Sequence, residues 1–428
     1  MQSEMYRAVA RRSGWATAGS ATAGWATAGW ATASVALALA TASGCAARGD
    51  SDGSAAVVAH GATGHGAPRA PRQTPQVSGT TNRLQAVSPV NARVVWASGI
   101  GGTYAVTTDG GETWRSAVVP GAEALQFRDV EAVSDRIAYL LAAGVGTDSR
   151  IYKTIDGGAS WTLVFQNQDP SGFYDCFAFW TPRRAVVMGD AVNGRLPVLE
   201  TRDGQTWTDI GDRLPPAQPG ESAFAASGTC VATLGARRAW IATGGAEHAR
   251  VLSTIDGGHS WTSHDTPIVQ GTPTSGGFSV AFRDRQHGIL AGGELATPTE
   301  RSTENFARSR DAGATWTLTS PVPFAGAVFG SSYAIGAPGR HGRGRDELDE
   351  RQGDDEPEAD TAEGGSRDDH RSGATVVATG PGGAAWSPDE GDAWFALDGA
   401  ANYWAVAFAD ERTGWLVGTD GRILRLDF

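Results

Sequence analysis

An all-β chain closed into a seven-bladed β-propeller is the fold that this sequence predicts, and three observations predict it. The first is a stretch of eight residues written six times. The copies begin at Thr107, Thr154, Thr201, Thr254, Ser309 and Ser387 and end at Trp114, Trp161, Trp207, Trp261, Trp316 and Trp394. The third copy is one residue short, and the sixth has Ala393 where Ser or Thr stands in the others. The second observation is the spacing, 47, 46, 54, 55 and 78 residues from Trp to Trp. A four-stranded blade needs about 40–50 residues, and the last interval falls into range once its charged insertion is set aside. The third is a pair of apolar runs upstream of the copies, such as Val280–Asp284 with Gly288–Gly292 and Val406–Asp410 with Gly414–Gly418. These read as the first two strands of a blade. Six or eight blades are the alternatives to seven.

The elements follow in chain order. Residues 1–45 read as a bacterial signal peptide: Arg7, Arg11 and Arg12, a Trp-Ala-Thr-Ala-Gly array, the apolar run Val35–Ala42, then Ala42-Ser43-Gly44-Cys45. The last four residues look like a lipobox in which Cys45 is lipidated. Ordinary cleavage near Ala42–Ala47 is the alternative, because Ala42 stands where Leu is usual. Residues 46–72, rich in Ala, Gly, His and Pro, read as a disordered linker. The propeller occupies residues 73–428.

Each repeat reads as a hairpin turn between the third and fourth strands of a blade. A short aspartate, Asp109, Asp156, Asp203, Asp256, Asp311 or Asp389, accepts backbone N–H groups and closes the turn. Glycine takes the left-handed position. The tryptophan opens the next strand and offers an apolar face to the neighbouring blade. The boxes are therefore expected to be structural. Tyr403–Phe428 holds three strands and no repeat, so its fourth strand must come from elsewhere, and Gln73–Ser78 is the natural donor. Closure by both termini removes open sheet edges. Within blade six, residues 338–373 carry twelve Asp or Glu, six Arg, no aromatic and one Leu. Such a stretch cannot bury enough apolar surface to order itself and reads as a disordered acidic insertion.

Aligned on the second strand, Gln85, Asp129, Cys176, Cys230, Ser279 and Ala405 fall at one level of the innermost strands, while blade six does not align. Cys176 and Cys230 are an even pair in an exported chain, which suggests a disulfide; two small buried thiols are the alternative. Tyr174, Asp175, Asp190, Glu221, Ser227, Thr229, Arg283, Glu294 and Tyr403 are the candidates for a ligand-binding channel face, against the alternative that they hold ordered water.

Lys+Arg 35 against Asp+Glu 47 gives a net charge of −12, which disfavours nucleic-acid binding. No stretch beyond the leader is apolar enough to span a bilayer, so membrane association would run through the N-terminal lipid alone. A monomer is expected, exported to the periplasm or anchored as a lipoprotein.

The consensus Ser/Thr-x-Asp-x-Gly-x-Ser/Thr-Trp resembles the Asp-box, or BNR, repeat of sialidases, sortilin-type receptors and the photosystem II assembly factor family. From about residue 80 to 428 the chain is similar to photosystem II assembly factor-like propellers, on the boxes together with Phe282-Arg-Asp284 and Gly288-Ile-Leu-Ala-Gly292. Asp175–Trp180 and Ala225–Cys230 look like stretches of bacterial members labelled oxidoreductase or glycosyl hydrolase. The resemblance implies a non-catalytic binding scaffold, an assembly factor for an envelope or membrane complex with a protein or glycan partner. No cofactor, metal or catalytic residue is assigned.

The alternative is a sialidase-like glycoside hydrolase. That chemistry resembles a Tyr–Glu pair, an acidic proton donor and three arginines on a carboxylate. The nearest arginine motif is Gly194-Arg195-Leu196-Pro197, in blade three and not the first. Asp175 and Asp190 are the acids that a carboxylate-pair mechanism would draw on. Redox chemistry ranks last, since no Gly-x-Gly-x-x-Gly follows a strand and no Cys-x-x-Cys occurs.

Overall fold

Seven four-stranded antiparallel sheets follow one another along the chain. The computed structural model describes residues 68–298, 300–335 and 374–428; the leader with Cys45, most of the linker and the acidic insertion lie outside the described residues. The first blade runs Leu84–Pro89, Val95–Gly99, Thr103–Thr107 and Arg115–Val118. The innermost strands of the next six are Phe127–Ala132, Tyr174–Thr181, Val231–Leu234, Ser275–Phe282, Gly330–Tyr333 and Tyr403–Phe408. They touch in cyclic order, the seventh returning to the first, which is a seven-bladed β-propeller. No described helix is long and apolar enough to cross a membrane.

The ring closes as the strand count requires. Tyr403–Phe408, Thr413–Gly418 and Arg422–Asp427 take Arg72–Val77 as their outermost strand. The register pairs Arg72 with Asp427 and Val77 with Arg422, one residue earlier than the Gln73–Ser78 expected. Gln76 pins this strand through its side chain. Its Oε1 accepts the indole N–H of Trp114 at 3.0 Å and of Trp415 at 3.1 Å, and its Nε2 donates to Gly110 O at 3.1 Å.

The core lies between blades. Trp96, Tyr139, Trp240 and Trp415, all on second strands, are at most 1% exposed. Three turn their polar tips to the next unit: Trp96 Nε1 donates to Ser134 O, Tyr139 Oη to Pro182 O and Trp240 Nε1 to Ala312 O, while Trp415 Nε1 donates to Gln76 of its own blade. Apolar residues at alternate positions of one blade meet those of the next, as where Trp96, Tyr104, Val130 and Leu140 share a cluster. A fully buried side chain of this kind contributes on the order of 2 kcal/mol.

Alternation of strand direction gives the disc two distinct faces. The first and third strands of a blade run the same way, so the turn after each points to the same face. The boxes, in the turns between third and fourth strands, share that face with the turns between first and second strands. The starts of the inner strands and the turns between second and third strands lie on the opposite face.

Candidate functional site

Five inner strands carry one extra residue near their start. The pairing skips Gln85, Arg128, Asp175, Phe278 and Trp404, in blades one, two, three, five and seven. A bulge leaves its extra residue unpaired and re-aims the side chain. The two halves of the channel differ. Phe278 and Trp404 join Phe224 and Phe329 in one buried cluster, with ring centroids 4.3 Å apart for Phe224–Phe278 and 4.9 Å for Phe329–Trp404. The Arg83 guanidinium lies 4.3 Å from the Trp404 ring, a cation–π contact. Gln85, Arg128 and Asp175 make the other half polar, and all three are buried.

Asp175 is brought to Asp190, which follows the second strand of the same blade, and the two carboxyls share a hydrogen bond. Burial raises the pKa of both. The neighbouring acid raises Asp175 further, and Arg128 opposes. Desolvation of the charged form is the cause, and the outcome is one proton held between two acids. Arg128 crosses the channel to donate from Nη1 to Ala225 O at 2.9 Å, and from Nη2 to Gln126 Oε1 at 2.9 Å.

The level just below the bulges is a circumferential belt. Asp129 Oδ2 accepts the Phe177 N–H at 2.8 Å from blade two to blade three. Cys176 and Cys230 are joined by a disulfide from blade three to blade four, with Cα atoms 5.9 Å apart. Thr229 Oγ1 donates to Ser279 Oγ at 2.8 Å, and Ser279 meets Ser331 at 2.9 Å. Ser227 Oγ donates to Phe329 O at 2.7 Å. Ala405 belongs to the same level, but Gln85 does not: Ala86 pairs with Ser98 where Gln85 was expected. Val94 and Val95 are both apolar, so periodicity could not choose the phase of this blade. The register also supplies the missing member, Ser331, paired with Ala378, which the insertion hid in the sequence.

The other candidates separate. Glu221 is fully buried and receives Arg250 Nε at 3.0 Å, Thr243 Oγ1 at 2.8 Å and the Gln218 N–H at 2.8 Å. Glu294 accepts Thr272 Oγ1 at 2.5 Å at the channel mouth. Tyr174 and Tyr403 start inner strands but pack between blades; burial pushes the Tyr174 phenol up to about 12. Arg283 does not belong to the channel face. It follows the inner strand of blade five, on the box face, and its Nε donates to Glu390 Oε1 at 2.7 Å. Tyr333 Oη reaches the same oxygen at 3.1 Å. Glu390 sits within the sixth box at φ 57°, where Gly257 of the fourth box has φ 74°. Sequence reasoning missed Arg128, Phe278, Phe329, Trp404, Tyr333 and Glu390. Reading one residue ahead of the belt would have found Arg128, Phe278 and Trp404.

The six box carboxylates lie in six separate turns, each engaged by its own chain. Thr107 Oγ1 donates to Asp109 Oδ1 at 2.7 Å, and Thr113 donates to the same carboxylate from N at 3.0 Å and from Oγ1 at 2.5 Å. The pattern recurs at Asp156, Asp256 and Asp311. Asp203 takes the Gln205 and Thr206 N–H groups at 2.7 Å, and Asp389 takes Ser387 Oγ and the Ala393 N–H. These bonds favour the ionised form: the Ser160 hydroxyl, then its N–H, lowers the pKa of Asp156 to about 2. Trp161, Trp316, Trp207 and Trp394 stand edge-on to Trp96, Phe282, Phe179 and Phe306 respectively; Trp261 is buried in the core between blades three and four.

No protein-family model and no curated protein matches the chain. Solved structures do. "YCF48 bound to D1 peptide" is 14% identical, with 85% of this chain and 96% of that chain covered and a TM-score of 0.54. YCF48 from Cyanidioschyzon merolae is 15% identical, with 83% and 98% covered and a TM-score of 0.53. A catalytically inactive virginiamycin B lyase from Staphylococcus aureus, with quinupristin, is 10% identical, with 84% and 99% covered and a TM-score of 0.53. At these identities the likeness is one of fold, and a fold of this kind hosts unrelated functions.

Proposed function

We propose that this chain is an exported, non-catalytic binding scaffold of the photosystem II assembly factor-like kind, in which the boxes are structural and the face where the inner strands begin receives a protein partner. The observation that carries the reading is the commitment of its reactive groups. Box carboxylates are held by their own turns, belt hydroxyls bond from blade to blade, and Glu221 is locked to Arg250. Asp175 and Asp190 are in hydrogen-bond contact, closer than the roughly 5 Å that a carboxylate pair needs to cleave a glycoside. Arg195 is held by Asp209 at 2.8 Å and Asp212 at 2.6 Å. The Tyr333–Glu390 pair is on the other face from Arg195, so the parts of a sialidase-like site do not converge. The fold likeness to a propeller solved with a bound peptide supports a protein partner. The Cys176–Cys230 disulfide suits an oxidising, extracytoplasmic compartment.

Photo-crosslinking in the native cell envelope tests the reading. Crosslinkers at the exposed Glu123 and Ser171, on the channel-mouth face, should trap one protein partner, and crosslinkers at Ile155 and Ile255 on the box face should not. Turnover of fluorogenic glycosides by the purified protein, abolished by Asp175→Asn, would overturn it.

A further inference from the structure

A cleft of about 380 Å³ opens on the box face between blades one and two, within the size range of small-molecule sites. The first and second boxes wall it, and Thr108, Arg115, Asp135, Arg136 and Asp156 line it. At three places in the ring an arginine of one blade caps the first glycine carbonyl of the next blade's box: Arg425 at Gly110, Arg115 at Gly157 and Arg184 at Gly257. Two of these arginines also have a carboxylate, Arg425 with Asp427 at 2.8 Å and Arg184 with Glu200 at 3.5 Å. Arg115 has none among the described residues, and its other bond goes to Tyr104 Oη at 3.2 Å. Asp135 and Arg136 are neighbours in the turn between the first two strands of blade two, and both are exposed. Neither forms an ion pair among the described residues, with the other or with any third group. The exposed Thr108 hydroxyl makes no hydrogen bond among them either. Asp156, by contrast, is engaged by Thr154 and Ser160.

We infer that this cleft binds a neutral saccharide through Asp135, Arg136, Arg115 and Thr108. Charge decides against an ion. Two guanidiniums, Arg115 and Arg136, balance two carboxylates, Asp135 and Asp156, so an anion is opposed by the acids and a cation by the arginines. Val106 is the one apolar side chain of the lining, so an apolar ligand gains little. The ligand must donate to a carboxylate and accept from a guanidinium within one small volume. A hydroxyl does both, and a sugar ring carries several at fixed separations. Exposure lets the groups stand unpaired without a ligand, since water solvates them at little cost. The cleft is on the face opposite the channel mouth, so it is separate from the surface proposed for the protein partner.

Isothermal titration of the exported chain with lactose, cellobiose, maltose and N,N′-diacetylchitobiose, and separately with glycine and inorganic phosphate, tests this. At least one disaccharide should bind, and raising sodium chloride about tenfold should leave its Kd unchanged, because the ligand carries no charge to screen. Asp135→Ala and Arg136→Ala should each weaken binding by about tenfold. Both residues are exposed turn residues, so the variants should keep the native circular dichroism spectrum. Ser171→Ala, on the channel-mouth face, should bind as before. Crystals soaked in the same disaccharide should show it against Arg115 and Asp135, a readout that stands if a variant fails to fold. Binding by none of the four disaccharides, binding that survives both substitutions, or binding of glycine or phosphate alone would overturn the inference.

Discussion

Tyr333 Oη donates to Glu390 Oε1 at 3.1 Å although the two residues are 57 apart in sequence. The acidic stretch 338–373 lies between them. Arg283 of blade five donates to the same oxygen at 2.7 Å, and the Glu390 N–H donates to Ala374 O at 3.1 Å. One side chain in a left-handed backbone conformation therefore ties the chain just before the insertion to the chain just after it. Glu390→Ala should destabilise the domain by about 2 kcal/mol, because it removes one of the two carboxylates on Arg283, leaving only Asp284 at 3.0 Å, and strands the buried Tyr333 hydroxyl. Tyr333→Phe should cost only ~1 kcal/mol. Urea denaturation of both variants checks the order; a larger loss in Tyr333→Phe would contradict this account of the cluster.

One amide joins three groups at the ring closure, beside the strand pairing of Arg72–Val77 with Arg422–Asp427. Gln76 satisfies two indole N–H groups and Gly110 O at once. Gln76→Leu leaves both indoles unpartnered and should cost about 2–3 kcal/mol. Amide exchange should rise first in Arg422–Asp427, the strand that pairs with it.

The belt disulfide closes a loop of 54 residues. Chain-entropy arguments put its contribution near 4 kcal/mol. Denaturation with and without reductant, set beside Cys176→Ser/Cys230→Ser, should show that loss with the native circular dichroism spectrum retained under native conditions.

Stability should fall with rising pH in a way set by one pair. Burial pushes Asp190 up to about 7, and Asp175 rises well above its usual range for the same reason. The folded chain then holds a proton that the unfolded chain, titrating near 3.8, has already released. This contribution is complete below about pH 4 and is lost as pH climbs through about 7. The box aspartates act with opposite sign: hydrogen bonds hold Asp156 down at about 2, so its stabilisation is present above the usual carboxylate range and is lost in strong acid. Stability measured by denaturant should peak near pH 4 and fall between about pH 4 and 7. Asp190→Asn should flatten the decline between about pH 4 and 7 and leave the acid limb unchanged.

Within a box, the first hydroxyl matters more than its exposed aspartate. Thr254 is 2% exposed, and its Oγ1 accepts the buried Gly258 N–H at 3.0 Å while donating to Asp256. Thr254→Val should cost about 1–3 kcal/mol by stranding that N–H. Crosslinking to the partner at Glu123 should be unaffected, since box and channel mouth are on opposite faces.

Blade number, blade length, the place of the boxes and closure by both termini were legible in the sequence. Each rests on local rules repeated at a fixed interval: a turn that needs Asp and Gly, a strand that opens on Trp, a strand count one short at the C-terminus. Pairing Asp175 with Asp190, Cys176 with Cys230 and Tyr333 with Glu390 was decided by the ring, because each depends on how far a blade rotates from its neighbour and on what the insertion separates. The contents of the channel were decided there too. A bulge adds one residue without breaking the apolar alternation that follows it, so it leaves no trace in periodicity, yet it takes Gln85, Arg128 and Asp175 out of the strand pairing and brings Phe278 and Trp404 into one aromatic cluster.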